Sequence, residues 1–204
     1  MRILLLLLFF ALPAYGIDQC DAIWATGINQ QSSNEPDRFD SNGNSVDVTS
    51  HKTFVGNDFI YDTLLVKKNK QLTFQTTSGN TVYIYLNQLK LEEGAKLNLN
   101  ENVNLIVIAK SDIVFEKKAD AVGLFYSKTK VELKGSNNGQ KATVKGSVSS
   151  PLVTQEFSGH VTFDSTQVEN SDLSDVCTVA SSNNVPTDIS LSEDYIDAAT
   201  SSAG

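Results

Sequence analysis

The sequence is poor in the residues that most often build a reactive centre. Its 204 residues include two cysteines, two histidines and one tryptophan. The histidines, His51 and His160, lie far apart, and neither has Cys, Asp or Glu partners at the spacing of a metal site or a catalytic triad. We therefore predict that the chain is not an enzyme and that it holds no metal or other cofactor.

Basic residues are also scarce. The chain has 16 Lys and Arg against 24 Asp and Glu, a formal net charge of −8. Binding to nucleic acid depends on a basic patch that neutralises phosphates, so nucleic acid is not an expected partner. The acidity is concentrated in residues 166–204, which contain seven carboxylates and neither lysine nor arginine. The end of this stretch is rich in Ser, Asn and Asp, which predicts a disordered acidic tail.

Long hydrophobic runs are limited to a single one, at the start of the chain. Ile3 to Leu12 are all apolar, Arg2 precedes them, and small residues lead up to Gly16. This pattern predicts a secretory signal peptide over residues 1–16 that is cleaved after Gly16. The run is too short for a membrane span, which needs about 20 residues. We expect a secreted, periplasmic or cell-surface protein with no membrane span.

The two cysteines flank almost the whole mature chain. Cys20 follows the signal peptide and Cys177 precedes the acidic tail, so an oxidising compartment predicts one disulfide between them. Such a long closed loop stabilises a protein by about 4–5 kcal/mol in the chain-entropy model. A reactive thiol or a metal-binding pair is the alternative. For Cys177 to reach Cys20, we expect residues 168–176 to run along the side of the domain.

Short apolar segments recur about every 20 residues in the centre of the chain. Two of them share a glycine followed four residues later by a serine, at Gly123–Ser127 and Gly146–Ser150. A period of this length is typical of a solenoid, whose units bury their apolar faces by stacking. The segments concerned are 82–91, 105–115, 122–133 and 144–163.

The same region has the alternation of β-strands. Val82, Ile84 and Leu86 alternate with more polar residues, and no stretch after the signal peptide has a capped helical stripe. A sandwich of hairpins would need several Asn-Gly or Asp-Gly turns, and only Asn138-Gly139 lies inside the β region. We therefore predict an all-β chain whose strands form a parallel coil.

The remaining segments complete the predicted domain organisation. Residues 17–58 are rich in turn-forming residues and are expected to cap the exposed first layer of the coil. The coil itself is predicted over residues 59–165. Residues 166–204 are predicted to form a return segment followed by the acidic tail.

Residues 86–163 resemble a known family. The run from Leu86 to Leu99, the 105–115 segment and the two Gly-x-x-x-Ser units are similar to the repeat region of MshQ-like proteins. These are large secreted proteins linked to the mannose-sensitive haemagglutinin type IV pilus system of marine bacteria. The resemblance implies a short right-handed parallel β-helix, distantly similar to bactofilins. It implies no catalytic residues.

Two functions fit these observations. The first is a non-enzymatic, exported β-helical module for cell-surface adhesion or pilus-associated assembly, with surface or pilus components as partners. The alternative is a carbohydrate-active protein, either a glycan-binding module or a β-helix similar to polysaccharide lyases. Tyr83, Tyr85 and Tyr126 are the candidates for contacting a glycan. The carboxylates of the coil are scattered among lysines, which is typical of a solvated face rather than of a lyase site.

Overall fold

Parallel β-strands dominate the fold, which confirms the prediction of an all-β chain with almost no helix. The computed structural model describes residues 23–30, 35–157, 159–174 and 176–177. Within them, fourteen strands form one sheet, and a five-residue helix α1 (Ser165–Glu169) follows the last strand. None of the helical segments in these residues has the length and apolar character that a membrane crossing requires.

The strands are short and follow one another closely along the chain. In order they are β1 (Ile28–Asn29), β2 (Val46–Val48), β3 (Lys52–Val55), β4 (Asp58–Val66), β5 (Gln71–Gln75), β6 (Thr81–Leu91), β7 (Lys96–Leu97), β8 (Asn104–Ala109), β9 (Ile113–Phe115), β10 (Asp120–Ser127), β11 (Lys130–Leu133), β12 (Thr143–Ser149), β13 (Leu152–Gln155) and β14 (His160–Phe163). All of the strand pairs are parallel.

The pairings divide the sheet into three series of neighbouring strands, which we call stacks A, B and C. Long strands bend and contribute to two stacks. Stack A contains the first part of β4, the first part of β6, β8, the ends of β10 and β12, and β1. Stack B contains β2, the ends of β4 and β6, β9, β11 and β13. Stack C contains β3, β5, β7, the starts of β10 and β12, and β14.

The chain visits the stacks in the order B, C, A and then repeats that order. Successive partners in stack B, from Val46 to Leu64 and on to Val153, are 18, 25, 24, 18 and 22 residues apart. This spacing agrees with the predicted period of about 20. The two Gly-x-x-x-Ser units lie side by side on neighbouring strands, and Gly123 is the direct partner of Gly146.

The inward side chains of the three stacks form one apolar core. It includes Val82, Ile84 and Leu86 of β6, which are fully buried, while Tyr83 and Tyr85 between them belong to a second cluster. The alternation follows from the strand period of two, which sends successive side chains to opposite faces. Each fully buried aliphatic side chain contributes about 1.5–3 kcal/mol, so the repeated layers supply the main stabilisation.

The N-terminal segment differs from the expected cap. We expected residues 17–58 to cover the first layer, but β1 pairs with β12 and so extends stack A at the opposite end. Strands β2 and β3 already belong to stacks B and C, so the continuous series of layers begins at Val46 and not at residue 59. The segment before β2 contacts strand β4 through Asn44, whose carbonyl accepts a hydrogen bond from the Asp62 N–H at 3.3 Å.

Several sequence predictions fall outside the described residues. They concern the signal peptide, its cleavage after Gly16, the first cysteine, Cys20, and the tail beyond Cys177. These stay predictions.

Candidate functional site

The outward face of stack A is apolar and buried. It carries the side chains of Tyr83, Tyr85, Ile106, Ile108, Leu124 and Tyr126, which form a cluster separate from the main core. Residues from both ends of the described chain cover it: Ile23 and Trp24 from one side, and Val176 and Cys177 from the other. Stack A is therefore packed on both of its faces.

Residues 35–39, which we call the N-terminal strap, lie across this face. The Arg38 guanidinium sits 4.0 Å from the centroid of the Tyr85 ring, a distance at which a cation is attracted to the ring face. The Phe39 ring packs against Tyr126 with ring centroids 5.7 Å apart. These contacts place a charged group and an aromatic group over the two tyrosines.

Residues 170–174, the C-terminal strap, cover the same face nearer its start. The Tyr83 hydroxyl donates a hydrogen bond to the Asp172 carbonyl at 2.6 Å, and the Asp172 N–H donates to Thr81 Oγ1 at 3.1 Å. The Asn104 side-chain amide donates to the Asn170 carbonyl at 2.6 Å. Residues that follow the last strand therefore run back along the side of stack A.

The two straps rule out the proposed glycan contacts on this face. Tyr83 is 6% exposed, and Tyr85 and Tyr126 are fully buried. Burial, with a smaller effect from the carboxylate of Glu35, raises the pKa of Tyr126 to about 12. A sugar ring needs an exposed aromatic face on which to stack, so the prediction for these three tyrosines is wrong. The sequence showed their alternation with the core, but not the segments that cover them.

The C-terminal strap also gives a pH-dependent contact. The hydroxyl and the backbone N–H of Ser174 donate to Asp172 Oδ1 at 2.6 and 3.0 Å. These bonds favour the charged form and hold the carboxyl pKa of Asp172 below its ordinary value of 3.8. A pKa that is lower in the folded state stabilises the fold above about pH 3.8, and this stabilisation is lost as the pH falls through the folded value.

We therefore expect the C-terminal strap to open on acidification. Amide hydrogen exchange in residues 170–174, corrected for intrinsic rates, should show a larger fall in protection from about pH 5 to about pH 2.5 in the wild type than in Asp172→Asn. The asparagine retains an accepting oxygen but does not titrate. An equal fall in both proteins would show that Asp172 does not control the strap.

The outward face of stack B carries a lattice of ion pairs. Lys67 lies 3.4 Å from both Asp47 and Glu92, and Lys134 lies 3.3 Å from Glu116. Each pair joins successive layers, because the parallel register also brings together the residues that directly follow neighbouring strands. Such exposed pairs contribute little stability individually. As predicted, these carboxylates lie among lysines.

The outward face of stack C carries a row of polar side chains that we call the stack C strip. Its members alternate with core residues of the same strands and are partly or fully exposed: Thr53, Gln71, Thr73, Lys96, Asp120, Thr143, Lys145 and Thr162. The register pairs Thr53 with Thr73, and it places Gln71, Lys96, Asp120 and Thr143 side by side on successive strands.

Two clefts lie along the strip. The larger, of about 370 Å³, has Leu99 and Val122 among its lining, with Asp120, Thr143 and Lys145 as polar groups around it. The smaller, of about 200 Å³, lies at the other end of the stack, where strand β3 borders it. The stack C strip is therefore a polar surface with a cleft near each of its ends.

Side chains within the strip are already oriented by one another. The Thr143 hydroxyl donates to Asp120 Oδ1 on the neighbouring strand, and the hydroxyls of Thr53 and Thr73 are 2.8 Å apart. Lys145 Nζ lies 2.6 Å from Glu101 and 3.4 Å from Asp164. Hydrogen bonding to Glu101 is the main cause of the raised pKa of Lys145. The larger cleft is thus lined by ordered groups in which carboxylates outnumber the single lysine named here.

The sequence predicted no part of this strip. Its members are isolated polar residues in short strands, and only the register brings them together. The sequence feature that could have indicated the strip is the recurrence of polar residues at equivalent positions of the repeat. These positions are hard to align because the repeat length varies. His51 and His160 lie at opposite ends of stack C, so the structure does not bring the two histidines together.

A third cleft, of about 330 Å³, lies between the first layers and the C-terminal strap. The Asn57 side chain orders its wall by accepting from the Thr77 and Ser78 N–H groups at 3.1 and 3.2 Å and by donating to the Thr81 carbonyl at 3.0 Å.

The described residues contain no group of three or more His, Cys, Asp or Glu side chains arranged to hold a metal ion. No family model, curated protein or solved structure matches the chain.

Proposed function

We propose that the three stacks are the walls of a short, right-handed parallel β-helix and that the chain is an exported, non-enzymatic module for cell-surface adhesion or pilus-associated assembly. The observation that carries the first part is the repeated order B, C, A with in-register parallel pairing between successive layers. Crossover connections between parallel strands are right-handed in nearly all proteins, which supports the handedness.

The arrangement of the outer surfaces supports a role in binding or assembly. Stack A is covered by the two straps, whereas stacks B and C both present polar side chains to solvent. On stack B these side chains are largely paired with one another as ion pairs, so stack C is the face with clefts open to a ligand. Rigid elements hold a binding surface in place without a loss of conformational entropy on association. The predicted signal peptide and the resemblance to MshQ-like proteins support a location outside the cytoplasm, in secreted, periplasmic or surface-attached form.

The proposal predicts that the mature chain attaches to cells. Purified protein without residues 1–16 should bind to producing cells from which its gene has been deleted, and chemical cross-linking on those cells should recover a surface or pilus component. An inert exported protein of similar size and charge is the control. Retention no greater than that of the control, with no component recovered, would refute the adhesion and assembly role.

A carbohydrate-active protein is the second candidate, and the clefts on stack C favour it. A lyase-like reaction would need carboxylates and a basic residue gathered at a cleft. The larger cleft does gather Glu101, Asp120 and Lys145. Hydrogen bonding to Glu101 raises the pKa of Lys145, however, and a lysine held in its charged form cannot accept a proton, which argues for binding rather than turnover. Cleavage of uronate polymers by the purified mature chain would overturn the non-enzymatic proposal in favour of this second candidate.

A further inference from the structure

The stack C strip has the features of a surface for an extended ligand. We propose that it binds a neutral, linear polysaccharide whose chain runs across the strands, from one layer to the next. This inference rests on the proposed adhesion role and deepens it by naming the binding face and the class of ligand.

The first argument is the spacing of hydrogen-bonding groups. Neighbouring strands lie about 4.8 Å apart, so in-register residues repeat at that interval along the stack. Gln71, Lys96, Asp120 and Thr143 form one such row. Amide and hydroxyl groups both donate and accept, the carboxylate accepts and the ammonium group donates. A linear polysaccharide presents hydroxyl groups at a regular interval along its length and is matched by a row of this kind.

The second argument is the composition of the larger cleft. Its lining combines the apolar side chains of Leu99 and Val122 with the polar groups of Asp120, Thr143 and Lys145. A sugar ring has the same combination, with C–H groups on its faces and hydroxyl groups around its edge. Ligand sites in general join an apolar surface to a few polar groups that fix orientation.

The third argument is charge. Lys145 is 2.6 Å from Glu101 and 3.4 Å from Asp164, and among the described residues that line the larger cleft it is the one cation beside two carboxylates, those of Glu101 and Asp120. A polyanion such as a uronate polymer or a nucleic acid would need an excess of positive charge that this cleft does not offer. A neutral polymer has no such requirement and is not repelled by the negative lining of the cleft.

The chain offers a matched pair of variants for the test. Asp120 and Thr143 are register partners on stack C, and Glu132 and Thr154 are register partners on the outward face of stack B. Asp120→Ala/Thr143→Val and Glu132→Ala/Thr154→Val therefore remove the same kinds of group from two different faces. Thermal unfolding of both variants checks that each remains folded. Thr162→Glu provides a third variant at an exposed position, where a larger side chain narrows the larger cleft and the hydroxyl is lost.

The experiment is native gel electrophoresis of the mature protein in gels containing hydroxyethyl cellulose, glucomannan or pullulan, with alginate as the charged polymer. At least one neutral polymer should retard the wild type. The Asp120→Ala/Thr143→Val variant should bind that polymer about tenfold more weakly, the effect of losing about 1.4 kcal/mol in hydrogen bonds. The stack B variant should bind as the wild type does, and Thr162→Glu should bind more weakly.

Three results would overturn the inference. In the first, none of the three neutral polymers retards the wild type. In the second, the stack B and stack C variants weaken binding to the polymer equally. In the third, alginate retards the wild type more strongly than the neutral polymers do. The cell-binding experiment separates this inference from the proposed function. If the wild-type protein attaches to cells but is not retarded by the neutral polymers, the proposed adhesion role stands and the proposed polysaccharide ligand is rejected.

Discussion

Replacing Gly146 by alanine is expected to destabilise the mature protein by about 3–5 kcal/mol, since it combines backbone strain with a severe overlap. Gly146 has φ of +131°, which L-residues rarely adopt, and a Cβ atom there would lie 2.0 Å from the carbonyl oxygen of Gly123. That oxygen belongs to the neighbouring strand of the sheet. Strand β12 would have to move away from β10, and the layers above it would lose their register.

Gly139→Ala is the matched control for this change. Gly139 also has positive φ, at +79°, but no atom lies within 4 Å of the position its Cβ would occupy. Its substitution therefore tests strain alone, which we expect to cost about 1 kcal/mol. Urea unfolding followed by circular dichroism measures both variants. Similar losses in the two proteins would show that the close approach of Gly146 to Gly123 is not the cause.

The same glycine pair shows what the sequence predicts well. The spacing between Gly123–Ser127 and Gly146–Ser150 predicted that these units occupy equivalent positions, and their residues are direct partners in the sheet. The alternation in β6 likewise predicted which side chains enter the core. Both properties depend on local spacing along one strand or between adjacent layers, so they can be recognised without knowing the rest of the fold.

The outward face of stack A is covered through contacts that the spacing of apolar residues in the sequence does not indicate. Alternation placed Tyr83 and Tyr85 on the face opposite the core, but it did not determine whether that face is exposed or covered. Arg38 and Phe39 lie in a stretch that reads as irregular, yet they bind over this face. A strap without regular secondary structure has no periodic pattern, so its docking site could not be predicted from the sequence.

The stack C strip escaped prediction for a different reason. Asp120 and Thr143 become neighbours through a register offset of 23 residues, whereas Val144 and Val161 in the same stack are offset by 17. Turns of unequal length absorb the difference. An average period of about 20 predicts that layers exist, but it is too coarse to predict which polar residues meet.

The environment of Cys177 supports the disulfide predicted from the sequence. Cys177 is 4% exposed and lies in the same buried cluster as Ile23 and Trp24. Cys20 precedes Ile23 by three residues, a separation that an extended chain spans with about 10–11 Å. This short separation from Ile23 agrees with the predicted cross-link, whose first cysteine lies outside the described residues.

We expect a disulfide between Cys20 and Cys177 to clamp the straps over stack A. Alkylation of the denatured, non-reduced mature protein should label neither cysteine, and prior reduction should allow both to be labelled. Cys20→Ala and Cys177→Ala should each lower the free energy of unfolding by about 2–5 kcal/mol. Because each single change already removes the whole cross-link, the double variant should lose little more than either single variant. Labelling of both cysteines without reduction, or additive losses in the double variant, would contradict the cross-link.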